Sequence, residues 1–317
     1  MEGFFICLFY IKMYINKKII KMNVLVTGGD GQLGQCMRSV DSQKVCDENG
    51  YNESPKYFFA NRQDVDITDI DSIENFVKEH NIDVIVNCAA YTNVEKAEED
   101  YDTALEVNYG GVCKLVSVCK KYDIYLIHIS TDYVFNGRRH IPYKESAECD
   151  PVNKYGTTKW LGECEALEYD KSIVIRTSWL YSEYGKNFYR TMLDRIKNKQ
   201  ETSVVCDQVG TPTYARDLAE FLCMIIEENE LEDHTGLFHF SNYGCCSWYD
   251  FAATIETLWD SKERNQYILP CSSNEYKCKA ERPFYTVLNK EELLSFPYEP
   301  RHWYAALIDC MLNDNKE

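Results

Sequence analysis

"MNVLVTGGDGQLGQCMRSV", residues 22–40, is the stretch on which the reading of the fold turns. A short apolar, β-branched run comes first, a glycine-rich turn second and a helical pattern third. Strand, tight turn and helix start in that order form the opening of a dinucleotide-binding βαβ unit. Glycines stand at 28, 31 and 34. Gly28 permits the tight turn, Gly31 lets backbone approach a pyrophosphate, and Gly34 lets helix and strand pack closely. The helix N-terminus then offers N–H groups and the positive end of its dipole to the phosphates. A glycine turn of this kind can also be structural alone, so the rest of the chain has to decide.

Working outward, "YFFAN" (57–61) reads as a second strand and "SIENFVKEHN" (72–81) as a helix. "DVIVNCAA" (83–90) is a third, buried strand, followed by a long helix over 103–123. "IYLIHIST" (124–131) is a fourth strand, and "SIVIRTS" (172–178) a fifth after another helix. Near-continuous apolar strands alternating with helices predict an α/β fold, a Rossmann-type doubly wound parallel sheet. Beyond about residue 180 the pattern loosens. Residues 22–180 are therefore expected to form an NAD(P)-binding domain, with parts of 204–240 returning to it. Residues 181–317 are expected to form mostly a smaller C-terminal substrate-binding domain.

Composition narrows the partners. The 317 residues carry a formal net charge of −17. That argues against nucleic-acid backbones and anionic membranes, which need clustered Lys and Arg. A nucleotide ligand needs only local donors and is not excluded. The 15 cysteines form no CxxC pair and the six histidines no HxxxH cluster, so no metal site is expected. Reduced thiols in a cytoplasmic protein are the simplest reading. Residues 1–21 are apolar and then basic; their apolar run, "GFFICLFYI", is too short to span a bilayer, and no small-residue cleavage site follows it. They are read as an upstream start, with the working protein beginning at Met22.

Chemistry gathers at the ends of the strands. "PVNKYGTTKWLGE" (151–163) places Tyr155 and Lys159 one helical turn apart on one face. A lysine ammonium there would lower the phenol's pKa from about 10 and make it a working proton donor or acceptor. "ISTDYVFNG" (129–137) ends the fourth strand with Ser130, Thr131, Asp132 and Tyr133, where ligands bind in such sheets. A hydroxyl there completes a Ser/Thr–Tyr–Lys triad. "DVDIT" (64–68) offers an acid and an apolar neighbour after the second strand, and "NCAAYT" (87–92) small residues after the third.

With these motifs the chain resembles the extended short-chain dehydrogenase/reductases and, more narrowly, the dTDP-4-dehydrorhamnose reductases. The likeness runs from about Met22 to near the C-terminus. "HISTDYVFNG", "RTSWLY", "NF" at 187–188, "DQVGTPTYARDLA" and "ERPFYTVLNK" carry its narrower part. It implies Thr131, Tyr155 and Lys159 as catalytic, with Thr131, Asp132, Tyr133 and Trp179 meeting a nucleotide-sugar substrate. It implies Gly28, Asp30, Gly31, Gln32, Leu33, Gly34, Asp66, Ile67, Ala89, Ala90 and Tyr91 around NADPH or NADH, with Tyr155 and Lys159 also at the cofactor. Two departures matter. Where some members carry a glutamate that helps hold magnesium at a dimer interface, this chain has Cys36, so Mg2+ is doubtful. Where others end the second strand with an acid, it has Asn61 and Arg62, which favours NADPH. A homodimer is left open. So are a reductase or epimerase of another nucleotide sugar and a non-catalytic subunit like the regulatory subunit of methionine adenosyltransferase.

Overall fold

Val24, Leu25 and Val26 are fully buried, because the strand they form lies inside a sheet covered on both faces. The computed structural model describes residues 21–42, 55–259 and 267–314; nearly all of the expected leader lies outside them. Six strands make the sheet: β1 (Asn23–Thr27), β2 (Lys56–Ala60), β3 (Val84–Asn87), β4 (Tyr125–Thr131), β5 (Ser172–Thr177) and β6 (Gly236–His239). Their order is β6-β5-β4-β3-β1-β2 and every pairing is parallel. Strand order reverses between β1 and β3, and such a switch point opens a crevice at the strands' carboxyl ends. Thr27 and Asn87 end those two strands in register.

Helices cover both faces. On one side lie α1 (Gln32–Ser42) and α6 (Ala215–Glu227), whose Leu33, Met37, Leu218, Phe221 and Ile225 join Val24, Val26, Val84 and Val86 in one cluster. On the other lie α2 (Ile70–His80), α3 and α4 (Lys154–Leu167), with Ile73, Leu115 and Ala166 against Leu25, Ile85 and Val174. Helix α3 spans Tyr101–Tyr122 and is interrupted by a π turn at Glu106–Gly110, a widened turn that recurs at functional sites. The sequence pattern over 103–123 shows one helix and hides this turn. A third cluster belongs to α5 (Phe188–Lys197), α7 (Trp248–Trp259) and α8 (Trp303–Asp314), around Tyr181, Tyr189, Phe251 and Trp303. Cys36, Cys119 and Cys310 are buried within these clusters, packing as small apolar groups.

Helix α4 starts where Asn153 accepts a hydrogen bond from the Gly156 amide at 2.8 Å, a side-chain N-cap. A β-carbon on Gly156 would collide with the Tyr133 carbonyl, and one on Gly162 with the Asn108 carbonyl. The small residues around Tyr155 and Lys159 therefore let α4 lie close against the end of β4 and against the π turn of α3.

Candidate active site

The glycine turn fits a diphosphate. Gly28 adopts φ 65°, and a β-carbon on it would lie 2.9 Å from the Ala89 backbone, a left-handed position that favours glycine. A β-carbon on Gly34 would sit 2.6 Å from the Gly29 Cα, so Gly34 serves the packing of α1 on the turn. Gly31 is exposed at the start of α1, leaving its backbone open to an approaching anion.

These residues open into a cleft of about 920 Å³. Gly28, Asp30, Gly31, Gln32 and Leu33 line it from the turn, Ala89, Ala90 and Tyr91 from the end of β3, and Arg62, Asp66 and Ile67 from beyond β2. Thr131, Asp132, Tyr133, Tyr155, Lys159 and Trp179 line the remainder. The structure thus brings together the predicted residues except two. Gly34 lies behind the turn. Asn61 is occupied elsewhere, its amide oxygen accepting from the Gln63 and Asp64 amides at 2.8 and 3.3 Å; it closes the loop after β2. Asp66 accepts from the Thr68 amide and hydroxyl at 2.9 and 2.7 Å and pairs with Arg62 at 3.2 Å. Burial pushes the Asp66 carboxyl up, but the Thr68 hydrogen bonds and Arg62 outweigh it and hold the pKa below its usual value.

At the floor of the cleft the Tyr155 phenol stands beside the Thr131 hydroxyl. Thr131 also donates to Asp132 Oδ1 and accepts from the Tyr133 amide, both at 3.2 Å. The sequence offered two hydroxyls here. Ser130 instead turns to Glu163, donating to its Oε2 at 2.7 Å, which leaves Thr131 beside Tyr155. One expectation is corrected. Lys159 does not lower the Tyr155 pKa: its Nζ donates to the Ile129 carbonyl at 2.6 Å. Burial dominates and raises the phenol well above its ordinary value, only partly offset by Thr131. Burial likewise lowers Lys159 to about 8, with Glu163 pulling the other way. It also lifts the Asp132 carboxyl to about 7 against the hydroxyls of Thr286 and Thr131.

The opposite wall is aromatic. Trp179 takes φ 47°, an uncommon backbone for a bulky residue. Its indole stacks on Trp248 with centroids 3.6 Å apart and planes 9° apart. A β-carbon on Gly210 would lie 2.5 Å from its Cε2 and 2.7 Å from its Cζ2 and Nε1. Near-equal distances to bonded neighbours put Gly210 over the ring, not at its edge. A stacked indole and a glycine backbone cannot share one face, so both faces of Trp179 are covered. Trp179 therefore borders the cleft by its edge, while Trp248 and Phe188, 4.5 Å apart, also line it. Arg282 reaches the cleft from the C-terminal segment and donates to Glu95 at 2.6 Å.

Sequence reasoning missed four residues. Phe188 and Arg282 lay inside the quoted "NF" and "ERPFYTVLNK" without a role. Trp248, in "CSWYDF", carried no signal at all. Asn108 sits in the π turn, its Oδ1 accepting from the Tyr91 amide at 2.8 Å and its Nδ2 donating to Thr158 at 3.0 Å. It joins the β3 loop to α4, and only the widened turn would have pointed to it. Among the described residues no three His, Cys, Asp or Glu side chains gather as a metal site.

Comparison with known proteins agrees with this geometry. Residues 22–315 match the family described as RmlD substrate binding domain. The chain is 36% identical to the spore coat polysaccharide biosynthesis protein SpsK of Bacillus subtilis, over 91% of this chain and 96% of that one. It is 38% identical to a dTDP-4-keto-6-deoxy-D-glucose reductase of Streptomyces niveus, over 90% and 95%. It superposes on the dTDP-4-dehydrorhamnose reductase of Bacillus anthracis, solved in complex with NADP, with a TM-score of 0.82 and 34% identity, covering 93% of this chain and 100% of that one. Fold, cleft and sequence converge: the chain belongs to the RmlD substrate-binding family.

Proposed function

We propose that this protein is an NADPH-dependent reductase that converts the C4 keto group of dTDP-4-dehydro-L-rhamnose to the hydroxyl of dTDP-L-rhamnose. The observation that carries the reading is the half-buried Tyr155 phenol beside the buried Thr131, at the floor of a cleft whose far end is a diphosphate-binding turn. A relative solved with NADP, matched over 93% of this chain, supports the cofactor. Bound NADPH would supply a hydride to the C4 carbon. Everything else falls to the chain's own residues.

Tyr155 gives its proton to the C4 oxygen as negative charge develops there. Its raised pKa suits an acid that must hold its proton until an alkoxide, more basic still, appears. Thr131 donates to the same oxygen and stabilises the charge. Lys159, one turn along α4, contributes its ammonium to the nicotinamide ribose. The glycine turn, Asp30, Gln32 and Leu33 take the pyrophosphate, Ala89, Ala90 and Tyr91 flank the ring system, and Asp66, Ile67 and Arg62 border the adenosine end. Asp132, Tyr133 and the aromatic wall at Trp179 receive the nucleotide sugar. On this reading residues 22–180, joined by α6 and β6, form the cofactor-binding part, and the remainder forms the sugar-binding part. The enzyme works in the cytoplasm; among the described residues no helix is long and apolar enough to cross a membrane.

The test is a coupled assay. The protein is incubated with dTDP-4-dehydro-6-deoxyglucose, a 3,5-epimerase and NADPH, and the sugar product is identified. NADPH oxidation with dTDP-L-rhamnose as product is expected. Reduction that proceeds equally without the epimerase would instead favour a 4-keto-6-deoxyglucose substrate, as the name of the Streptomyces relative suggests.

A further inference from the structure

Glu163 lies one helical turn beyond Lys159 and two beyond Tyr155, on the same stripe of α4. It is 1% exposed. A carboxylate so deeply buried is costly unless fully paired, and this one is. Ser130 donates to Oε2 at 2.7 Å, Arg176 Nε to the same oxygen at 2.8 Å, and Arg176 Nη2 to Oε1 at 2.5 Å. Ser130 and Arg176 face each other in register across β4 and β5. Three successive residues of β4 thus meet three turns of α4. The Ile129 carbonyl holds Lys159, Ser130 holds Glu163, and Thr131 stands beside Tyr155.

We infer that Glu163 is a positioning residue for the reduction, its carboxylate tying α4 to β4 and β5 so that Tyr155 and Lys159 stay in register with Thr131. The same carboxylate supplies the negative charge nearest the Lys159 ammonium on α4. The groups that face Lys159 are Glu163, the Cys88 thiol from the end of β3 and the His128 imidazole from β4. Burial lifts Cys88 to about 12 and keeps His128 neutral. Behind Glu163, Arg176 is fixed by the Glu145 carbonyl and by His239, which burial and Arg176 hold neutral at about 3. Removing the Glu163 charge takes away the carboxylate that faces Lys159 and leaves Arg176 with the Glu145 carboxylate nearby.

The inference rests on the proposed reductase reading, and its test separates the two. In Glu163→Gln the shape is kept and the charge lost. The alkaline limb of kcat/KM should move to lower pH by about one unit or more, because Lys159 then sheds its proton more readily. NADPH affinity, read by fluorescence titration across pH, should weaken over the same lower range. That titration needs no sugar, so a wild-type protein inactive on the dTDP sugar would defeat the proposed function and leave Glu163 still decidable. Ser130→Ala guards against a variant that fails to fold. It keeps the ion pair and removes the Ser130 link between β4 and Glu163, and should lower kcat about five- to tenfold with the KM for NADPH unchanged. Unshifted pH profiles in a folded Glu163→Gln protein, or wild-type kcat in Ser130→Ala, would overturn the inference.

Discussion

The two walls of the cleft are built by opposite means. The wall under the glycine turn is backbone and small side chains, and its parts are contiguous: Gly28 to Leu33 in one stretch, Ala89 to Tyr91 in another. The facing wall is aromatic and assembled from afar, with Trp179, Phe188, Gly210 and Trp248 each on a different segment. A glycine serves each wall differently. Gly34 clears room for backbone and Gly210 clears room for an indole face. The difference suggests that one wall recognises a constant ligand and the other a variable one, and it can be broken by substitution.

The largest effect belongs to the residue both walls share. Tyr155→Phe should cut turnover by about 10²–10⁴-fold while NADPH titration stays near wild type. Turnover within a few-fold of wild type would remove Tyr155 as the acid. Next comes pH. With Lys159 lowered to about 8, its ammonium is present below that value and lost above it. kcat/KM for the free enzyme should therefore decline above about pH 8, roughly tenfold per unit once the proton is gone. A flat profile to pH 10 would show that the charge of Lys159 is not needed.

The paired glycines test the contrast itself. Gly34→Ala forces a methyl against the Gly29 Cα and should weaken NADPH binding about tenfold or more, since overpacking costs about 1–3 kcal/mol. Gly210→Ala pushes on the Trp179 ring and should raise the KM for the nucleotide sugar by a comparable factor with NADPH affinity intact. Trp248→Ala uncovers one face of Trp179 and removes a stacked pair worth about 0.5–1.5 kcal/mol, so the sugar KM should rise about two- to tenfold. If Gly34→Ala and Gly210→Ala disturb the same ligand, the two walls are not separate.

What the sequence revealed follows from the same contrast. Parallel strands, the glycine turn and the Tyr155–Lys159 spacing are local patterns, so a linear reading finds them. The order β6-β5-β4-β3-β1-β2 adds β6 from residues 236–239, beyond the regular alternation, and periodicity alone cannot say which neighbour it takes. Trp248 could not be assigned, because an aromatic in a helical pattern reads as core whether or not a cleft lies beside it. The Lys159 expectation failed for a different reason. Residues four apart share a helix face, but what an ammonium does there depends on the acceptor nearest it. Here that acceptor is the Ile129 carbonyl, supplied by a strand thirty residues earlier.

The smallest expected effect is at Arg62. The sequence alone suggests a guanidinium placed for the 2′-phosphate of NADPH, because no acid ends β2, and a desolvated contact of that kind would be worth about tenfold or more. The structure puts Arg62 on the lip of the cleft with its side chain 75% exposed and already paired with Asp66, four residues on, at 3.2 Å. A phosphate there must compete with water and with that carboxylate, and exposed ion pairs contribute only about 0.2–1 kcal/mol. Arg62→Ala should therefore lower kcat/KM for NADPH by about two- to fivefold and leave NADH unchanged. The loss should shrink further as salt is raised, since an exposed pair is screened over about 10 Å at 0.1 M. A salt-insensitive loss of tenfold or more would mean that Arg62 abandons Asp66 and closes over the phosphate. Equal losses with both cofactors would take it out of the cofactor site.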